Sequence, residues 1–399
     1  MRFPGFEGEW EEYKVSELLQ FFPTNSMSWD QLEYGTGDIF NLHYGLIHKG
    51  LPTQIELNKC TLPNIKGDFI PTRYTLCKEG DVVFADASED TNDVGKVVEF
   101  LNCDKKNVVC GLHTIHGRDK YDLTIEGFKG YAFSSKSFRS QIKKLAQGTK
   151  IYSISPKNFQ ECHILIPDKE EQNKIGKLLY QIDERISTQN KIIGQLETLI
   201  MGIYQKLADN KHWKKQYLRD ILTERKETSK NNLPVFSVSV SKGVINQIEY
   251  LGRSFAAKNT ANYNVVCFGD VVYTKSPTGE FPYGIIKQSF IRKNVVVSPL
   301  YAVYVPKDIH IGSILHYYFN SPINANNYLH SLIQKGAKNT INITNQRFLD
   351  NTIFLPTDKK EIEKIASLLN SINKKIQIEK LFLEQLEKQK TYLLQQIFV

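Results

Sequence analysis

The chain is short of the residues and spacings that do chemistry. Its 399 residues include six cysteines (Cys60, Cys77, Cys103, Cys110, Cys162, Cys267), five of them in the first half and none in a Cys-x-x-Cys spacing. That scatter suits reduced thiols inside a cell better than a disulfide framework. No apolar run approaches the roughly 18 residues that mark a membrane span. The opening Met1-Arg2-Phe3-Pro4-Gly5-Phe6-Glu7 has no hydrophobic signal core, so a cytoplasmic location is expected. A P-loop is missing. Gly35-Thr36-Gly37-Asp38 is too short for a dinucleotide fingerprint and reads as a turn. The Asn-Pro-Pro-Tyr pattern of amino-methyltransferases is absent as well, Asn320-Ser321-Pro322-Ile323 being a poor imitation. Cys110, His113 and His116 are spaced suggestively for a metal, but only three ligands are in view, and Ser298 and Tyr301 stand for Cys110 and His113 in a second copy of the segment. No metal site and no catalytic residue are expected.

What is present is a duplication, which fixes the architecture before any other reading. Trp10…Val15-Ser16-Glu17-Leu18-Leu19 matches Trp213…Leu218-Arg219-Asp220-Ile221-Leu222, and Gly80-Asp81-Val82-Val83-Phe84 matches Gly269-Asp270-Val271-Val272-Tyr273. Asn107–Leu112 then matches Val295–Leu300, Gly148-Thr149-Lys150 matches Gly336-Ala337-Lys338, and Ile166-Pro167 matches Leu355-Pro356. Gly-Asp before a β-branched and aromatic run reads as a turn entering a buried strand.

Each half closes on a heptad helix. One apolar series is Ile175, Leu179, Ile182, Ile186, polar Gln189, Ile193, Leu196, Ile200, Ile203, Leu207. The other is Ile365, Leu369, Ile372, Ile376, polar Glu379, Leu383, Leu386, Lys390, Leu393, Ile397. Asp168 and Asp358 are N-cap candidates, with Glu171 and Glu361 in the first turn. A helix of about 40 residues is about 60 Å long, and a single apolar stripe of that length needs a partner stripe. The two helices are therefore expected to pair antiparallel, around an approximate two-fold axis that would bring Gln189 near Glu379. A hydrogen bond there could pin the register; equally, both could lie at the seam's edge. The fold class expected is α+β: two tandem mixed α/β domains, each followed by a long helix, the helices forming an antiparallel coiled coil with pseudo-two-fold symmetry.

Charge is uneven. Residues 1–209 carry 25 Lys/Arg against 29 Asp/Glu, and the remainder 26 against 14, giving −4 and +12, which sum to the net +8. A basic second half suggests a polyanion. Between Glu126 and Glu161 no acid occurs, while Lys129, Lys136, Arg139, Lys143, Lys144, Lys150 and Lys157 do. Between Asp308 and Asp350 none occurs, while Lys335, Lys338 and Arg347 do. A surface facing phosphates has reason to exclude carboxylates. Both stretches also carry residues that reach base edges and phosphate oxygens. The DNA-contact candidates are Lys143, Lys144, Thr149, Lys150 and Tyr152 in the first half, and Lys275, Ser276, Lys335, Lys338, Asn339, Thr340 and Asn342 in the second. Weaker candidates are Tyr44, His48, Lys49, Arg73, His116, Arg118, Ser237, Ser239, Ser241 and Lys242.

With these features the chain resembles the DNA specificity subunits of Type I restriction-modification systems. The matching residues are Trp10…Leu18-Leu19, Gly80–Phe84, Ile166-Pro167 with Glu171-Gln172-Asn173-Lys174-Ile175, and their second-copy counterparts; Glu361-Ile362 departs from Glu171-Gln172. The resemblance implies target recognition domains at 1–167 and 209–357 and coiled-coil helices at 168–208 and 358–399. It implies a non-catalytic subunit that directs methyltransferase and restriction subunits to a bipartite, asymmetric DNA site. Each domain would read one half-site, with the helices setting the spacer. Partners would be double-stranded DNA, two modification subunits and restriction subunits. No cofactor is expected on this chain; S-adenosylmethionine, and ATP with Mg, would sit on partners. Apolar residues expected on outer helix faces (Leu178, Ile192, Leu199, Leu368, Phe382) fit docked subunits. A protein scaffold, or a stand-alone DNA-binding regulator, is the alternative.

Overall fold

The computed structural model describes residue 2 and residues 5–35, 37–208, 213–229, 233–253, 260–335 and 341–398. It divides into two compact units, Met1–Asn190 with Leu381–Val399, and Lys191–Lys380. Each therefore holds the start of one long helix and the end of the other.

In the first unit, Glu11–Lys14 pairs antiparallel with His163–Ile166, Glu11 opposite Ile166. The central sheet runs in the order Leu19–Phe22, Thr114–Asp119, Val82–Ala85, Val97–Asn102, Gln54–Glu56. Successive strand side chains point to opposite faces. Val82 and Phe84 enter a core shared with the long helices, while Val83 and Ala85 enter a second core on the far side. Burial on both faces is why the motif reads as an unbroken apolar run. The far layer is a four-stranded sheet of Asn107–Cys110, Ile39–Leu42, Asn64–Ile65 and Leu32–Glu33, with its first pair parallel.

The second unit repeats the inner part. Lys214–Tyr217 pairs with Thr352–Leu355, Lys214 opposite Leu355. Its central sheet has the matching order Leu222–Glu224, Ala302–Pro306, Val271–Tyr273, Ile286–Gln288. Val271 and Tyr273 face the helix-side core and Val272 the far one. Its far layer differs, being built from a Phe236–Ser239/Gly243–Asn246 hairpin and an antiparallel Asn264–Val266/Val295–Val297 pair.

Both Gly-Asp turns have one geometry. Gly80 (φ +80) donates its N–H to Phe100 O at 2.7 Å and Gly269 (φ +91) donates to Ser289 O at 2.8 Å. Positive φ is the reason glycine stands there.

The long helices are Lys169–Ala208 and Lys359–Gln396. Asp168 Oδ1 accepts Glu171 N–H and Asp358 Oδ2 accepts Glu361 N–H, both at 2.9 Å. The glutamates face the domain entries: Trp10 Nε1 donates to Glu171 Oε2 at 3.2 Å, and Trp213 Nε1 to Glu361 Oε1 at 3.0 Å. The two sequence signals, entry tryptophan and helix cap, are thus one clamp. Gln172 bridges Ile125 N–H, Leu123 O and Pro167 O, whereas Ile362 is buried in the second core.

Within the first unit, Ile175 and Leu179 share a core with Ile397 and Phe398, and Lys390 pairs with Asp183 at 2.6 Å. Within the second, Ile362, Ile365, Ala366 and Leu369 pack with Ile200 and Ile203, and Lys380 meets Glu197 at 2.7 Å. In both units the paired stretches run antiparallel. Ile182, Ile193, Ile372, Ile376 and Leu386 are buried along the stripe, and Ile186, Leu196 and Leu383 half-buried. Gln189 and Glu379 are both buried, and Glu379 pairs with Lys375 on its own helix. Of the apolar residues expected outside, Leu199, Leu368 and Phe382 are about half exposed, but Leu178 packs against the first core and Ile192 is only partly exposed.

Candidate nucleic-acid interface

The Gly148-Thr149-Lys150 segment is the tip of a narrow hairpin. Gln147 N–H donates to Ser153 O at 2.9 Å and Ser153 N–H returns to Gln147 O at 2.8 Å. Gly148 has φ +143, and a Cβ there would lie 1.9 Å from Ile151 O, so only glycine fits. Thr149, Lys150 and Ile151 are exposed and Tyr152 partly so. In the second unit Gln334–Lys335 pairs antiparallel with Ile341–Asn342, with Gln334 opposite Asn342, so a hairpin stands at the same point of the chain order. Lys335 and Asn342 therefore lie on paired strands. Lys338, Asn339 and Thr340 lie outside the described residues.

The first hairpin continues into a surface that sequence spacing could not assemble. Tyr152 and Ser153 pair with Ser88 and Ala87. Ala87 O accepts from His48 Nε2 at 2.8 Å, and the neighbouring Asp86 meets His113 Nδ1 at 3.1 Å. Tyr44 packs against His43, His48 and His113, with ring centres 4.7, 5.8 and 5.2 Å away. Trp29 lies 4.6 Å from His43, with Lys49 Nζ 5.6 Å above its ring. Burial, then His113 and Lys49, holds the His43 imidazole below its usual pKa, so it stays neutral. The rings, half exposed at Trp29, and the hairpin form one contiguous strip of hydrogen-bonding and stacking groups. Beside Trp29's segment a groove of about 480 Å³ is lined by Asn25, Gln31, Arg73 and Tyr74.

In the second unit Lys275 and Ser276 follow strand Val271–Tyr273 where Asp86 and Ala87 follow Val82–Ala85. Lys275 is half-buried, and burial lowers its pKa; Ser276 is exposed. Lys242 lies 5.8 Å over Tyr250 near the Phe236–Asn246 hairpin that carries Ser237, Ser239 and Ser241.

Two expectations change. The acid-free stretch is not acid-free in space. Lys143 Nζ donates to Asn92 Oδ1 at 2.6 Å, and Arg139 to Asn92 O, inside the loop that carries Glu89, Asp90 and Asp93. Lys129 is buried against Glu99 at 3.4 Å. Lys143 and Lys144 therefore end a helix, Lys136–Leu145, that borders acids as well as the hairpin. His116 and Arg118 face inward. Both bond the buried Asp81 carboxylate, His116 Nε2 at 2.7 Å and Arg118 through Nε and Nη2 at 2.7 Å each. His113 turns away from Cys110, and Cys77 takes its place beside Cys110 and His116.

Residues 7–198 match the family model of the Type I restriction modification DNA specificity domain. Among solved structures, the Type-I restriction-modification system S subunit from M. genitalium is similar at TM-score 0.63 and 14% identity, covering 98% of this chain and 96% of its own. A chain from a study of complex assembly and conformational transition of the type I R-M system is similar at TM-score 0.50 and 16% identity, covering 97% of each. At such identities the likeness shows the fold. No curated protein matches the chain.

Proposed function

We propose that this chain, whose residues 7–198 match the Type I restriction modification DNA specificity domain, is a specificity subunit whose two units read unlike halves of one bipartite DNA site. The observation that carries this is the hairpin found in both units on a shared inner frame and bearing different residues. Thr149, Lys150, Tyr152, Tyr44, His48 and Lys49 would face one half-site. Lys275, Ser276, Lys335, Lys338, Asn339, Thr340 and Asn342 would face the other, with Lys143 and Lys144 approaching the backbone. The helix pair would set the unread spacer, in keeping with half-sites about one helical turn apart.

Catalysis would belong to partners. Two modification subunits would bring S-adenosylmethionine, and restriction subunits ATP and Mg. The exposed Leu199, Leu368 and Phe382 are suitable docking residues.

Co-expression with a modification subunit and genome-wide mapping of methylated adenines tests the reading. A bipartite motif with a fixed gap is expected. Tyr44→Ala or Tyr152→Ala should relax one half only, and Asn342→Ala the other. Lys150→Ala should reduce the slope of log binding constant against log salt by about 0.9. Loss of both halves from a single substitution would overturn the division of labour.

A further inference from the structure

The far core of the first unit contains a set of groups that its fold does not need. Cys77 Sγ, Cys110 Sγ and a ring nitrogen of His116 lie within 4.8 Å of one another, all buried, the two sulfurs 3.4 Å apart. His116 Nε2 is held by Asp81 at 2.7 Å, while its Nδ1 is buried with no hydrogen-bond partner. An orphaned buried ring nitrogen costs free energy.

The second unit shows what the frame asks for at these positions. Lys78 N–H and Cys267 N–H donate to Asp81 and Asp270, both at 2.8 Å, which aligns Cys77 with Val266. Leu76 bridges Val109 as Val265 pairs with Val296, which aligns Cys110 with Val297, one residue before the Ser298 that sequence matching suggests. His116 lies opposite Val83 as Val303 lies opposite Val272. Three valines in one apolar cluster thus do the packing that two thiols and an imidazole do in the first unit.

We infer that Cys77, Cys110 and His116 form a binding site for a thiophilic divalent cation of the zinc type. Two sulfurs about 2.3 Å from a tetrahedral zinc stand about 3.8 Å apart, close to the separation present. The Asp81 carboxylate on Nε2 is the outer-shell partner that fixes a ligating histidine, leaving Nδ1 to the metal. Charge closes as well. Both thiols give up a proton on binding, so two thiolates and a divalent ion are neutral together, and Asp81 is balanced by Arg118. Cys110 also lines the groove with Asn25, Arg73 and Tyr74, which offers a way in. The fourth ligand would come from that side. The metal would brace the layer that carries Trp29 and Tyr44.

The test is metal content and cobalt spectroscopy on the full-length chain, purified reduced. One equivalent of zinc, replaceable by cobalt with a thiolate-to-cobalt charge-transfer band, is expected. The triple variant Cys77→Val, Cys110→Val, His116→Val copies the second unit's packing and should stay folded while losing the band and the metal. Should that variant fail to fold, His116→Gln alone, which keeps both thiols, should still weaken cobalt binding at least tenfold. Reduced, folded wild type that gives no thiolate–cobalt band would overturn the site, as would a band that the His116→Gln chain retains at full affinity. Neither readout requires DNA.

Discussion

Asp81→Ala removes a fully buried carboxylate that takes four donors: Arg118 Nε and Nη2 and His116 Nε2 at 2.7 Å each, and Lys78 N at 2.8 Å. Deleting one partner of a buried ion pair costs about 3–5 kcal/mol, because the other charge is left uncompensated. Arg118 keeps 24% of its side chain exposed, so water recovers part of that, and a loss near about 3 kcal/mol is expected. Asp270→Ala is the internal comparison. Asp270 takes Arg225 Nε at 2.8 Å, Nη2 at 3.0 Å and Cys267 N at 2.8 Å, with no histidine. One hydrogen bond fewer makes its loss smaller by about 1 kcal/mol. Urea denaturation gives the totals, and amide exchange at Phe100 and Ser289 assigns each loss to its unit. The pH dependence has a definite sign. Burial alone would raise the Asp81 pKa, but the Arg118 and His116 hydrogen bonds outweigh it and hold the folded value below normal. A depressed carboxyl stabilises above its unfolded pKa of about 3.9, and that stabilisation fades as pH falls toward the folded value. The gap between wild type and Asp81→Ala should therefore close on acidification below about pH 4. A loss under about 1 kcal/mol, or a gap that persists in acid, would refute the argument.

Two further outcomes follow from single contacts. Trp10→Phe and Trp213→Phe each remove an indole hydrogen bond to a helix-start glutamate, and each should cost about 1.5–3 kcal/mol in urea melts; equality with wild type would show the clamp to be idle. Lys287 is almost wholly buried with Asn320 Oδ1 as its acceptor, and burial pushes its pKa down to about 8. Since the unfolded chain holds that proton up to about pH 10.4, wild-type stability should rise between roughly pH 8 and 10. Lys287→Met should flatten that rise and gain up to about 3 kcal/mol at pH 7, less the lost Asn320 bond; an unchanged slope would rule the lysine out as its source.

What was legible in the chain was local or periodic. The two Gly-Asp turns, the Asp168 and Asp358 caps and the heptad stripes all depend on spacings of a few residues, which backbone geometry converts directly into hydrogen bonds and faces. Contacts between distant residues were not. Trp10 reaches Glu171 across 161 residues, and nothing in either segment announces it. The acid-free stretch misled because charge was counted along the chain, while Asn92's loop returns beside Lys143 in space. His113 was grouped with Cys110 by spacing, yet its φ of +54 turns it to Asp86. The ring strip from Trp29 to Tyr152 had a partial signal in Tyr44, His48 and Lys49, but only the Ala87 hinge joined it to the hairpin.

Comparing the units shows which parts of the frame tolerate change. On the helix side the geometry repeats while the chemistry is exchanged in sets. Tyr131 bonds Asp183 at 2.9 Å where Tyr317 bonds Asn370 at 3.1 Å. The Glu99 carboxylate accepts the Gly127 and Gly130 amides where the Gln288 side chain accepts the Ser313 hydroxyl and donates to Gly269 O and Ile309 O. The arginine that holds Asp81 comes from strand Thr114–Asp119, and the one that holds Asp270 lies just past strand Leu222–Glu224. Buried polar groups must be satisfied, so a change on one side of such a contact demands a compensating change on the other. The far layers are under no such constraint toward the helices. There one antiparallel and one parallel pairing persist, Leu76–Val109 with Val109–Asn41 and Val265–Val296 with Val296–Val235, but the strands added beside them differ, Asn64–Ile65 and Leu32–Glu33 in the first unit and Gly243–Asn246 in the second. A fixed helix-side half and a rebuilt far half is the division expected when one surface keeps its position on the helices and the other is free to meet a different sequence of bases.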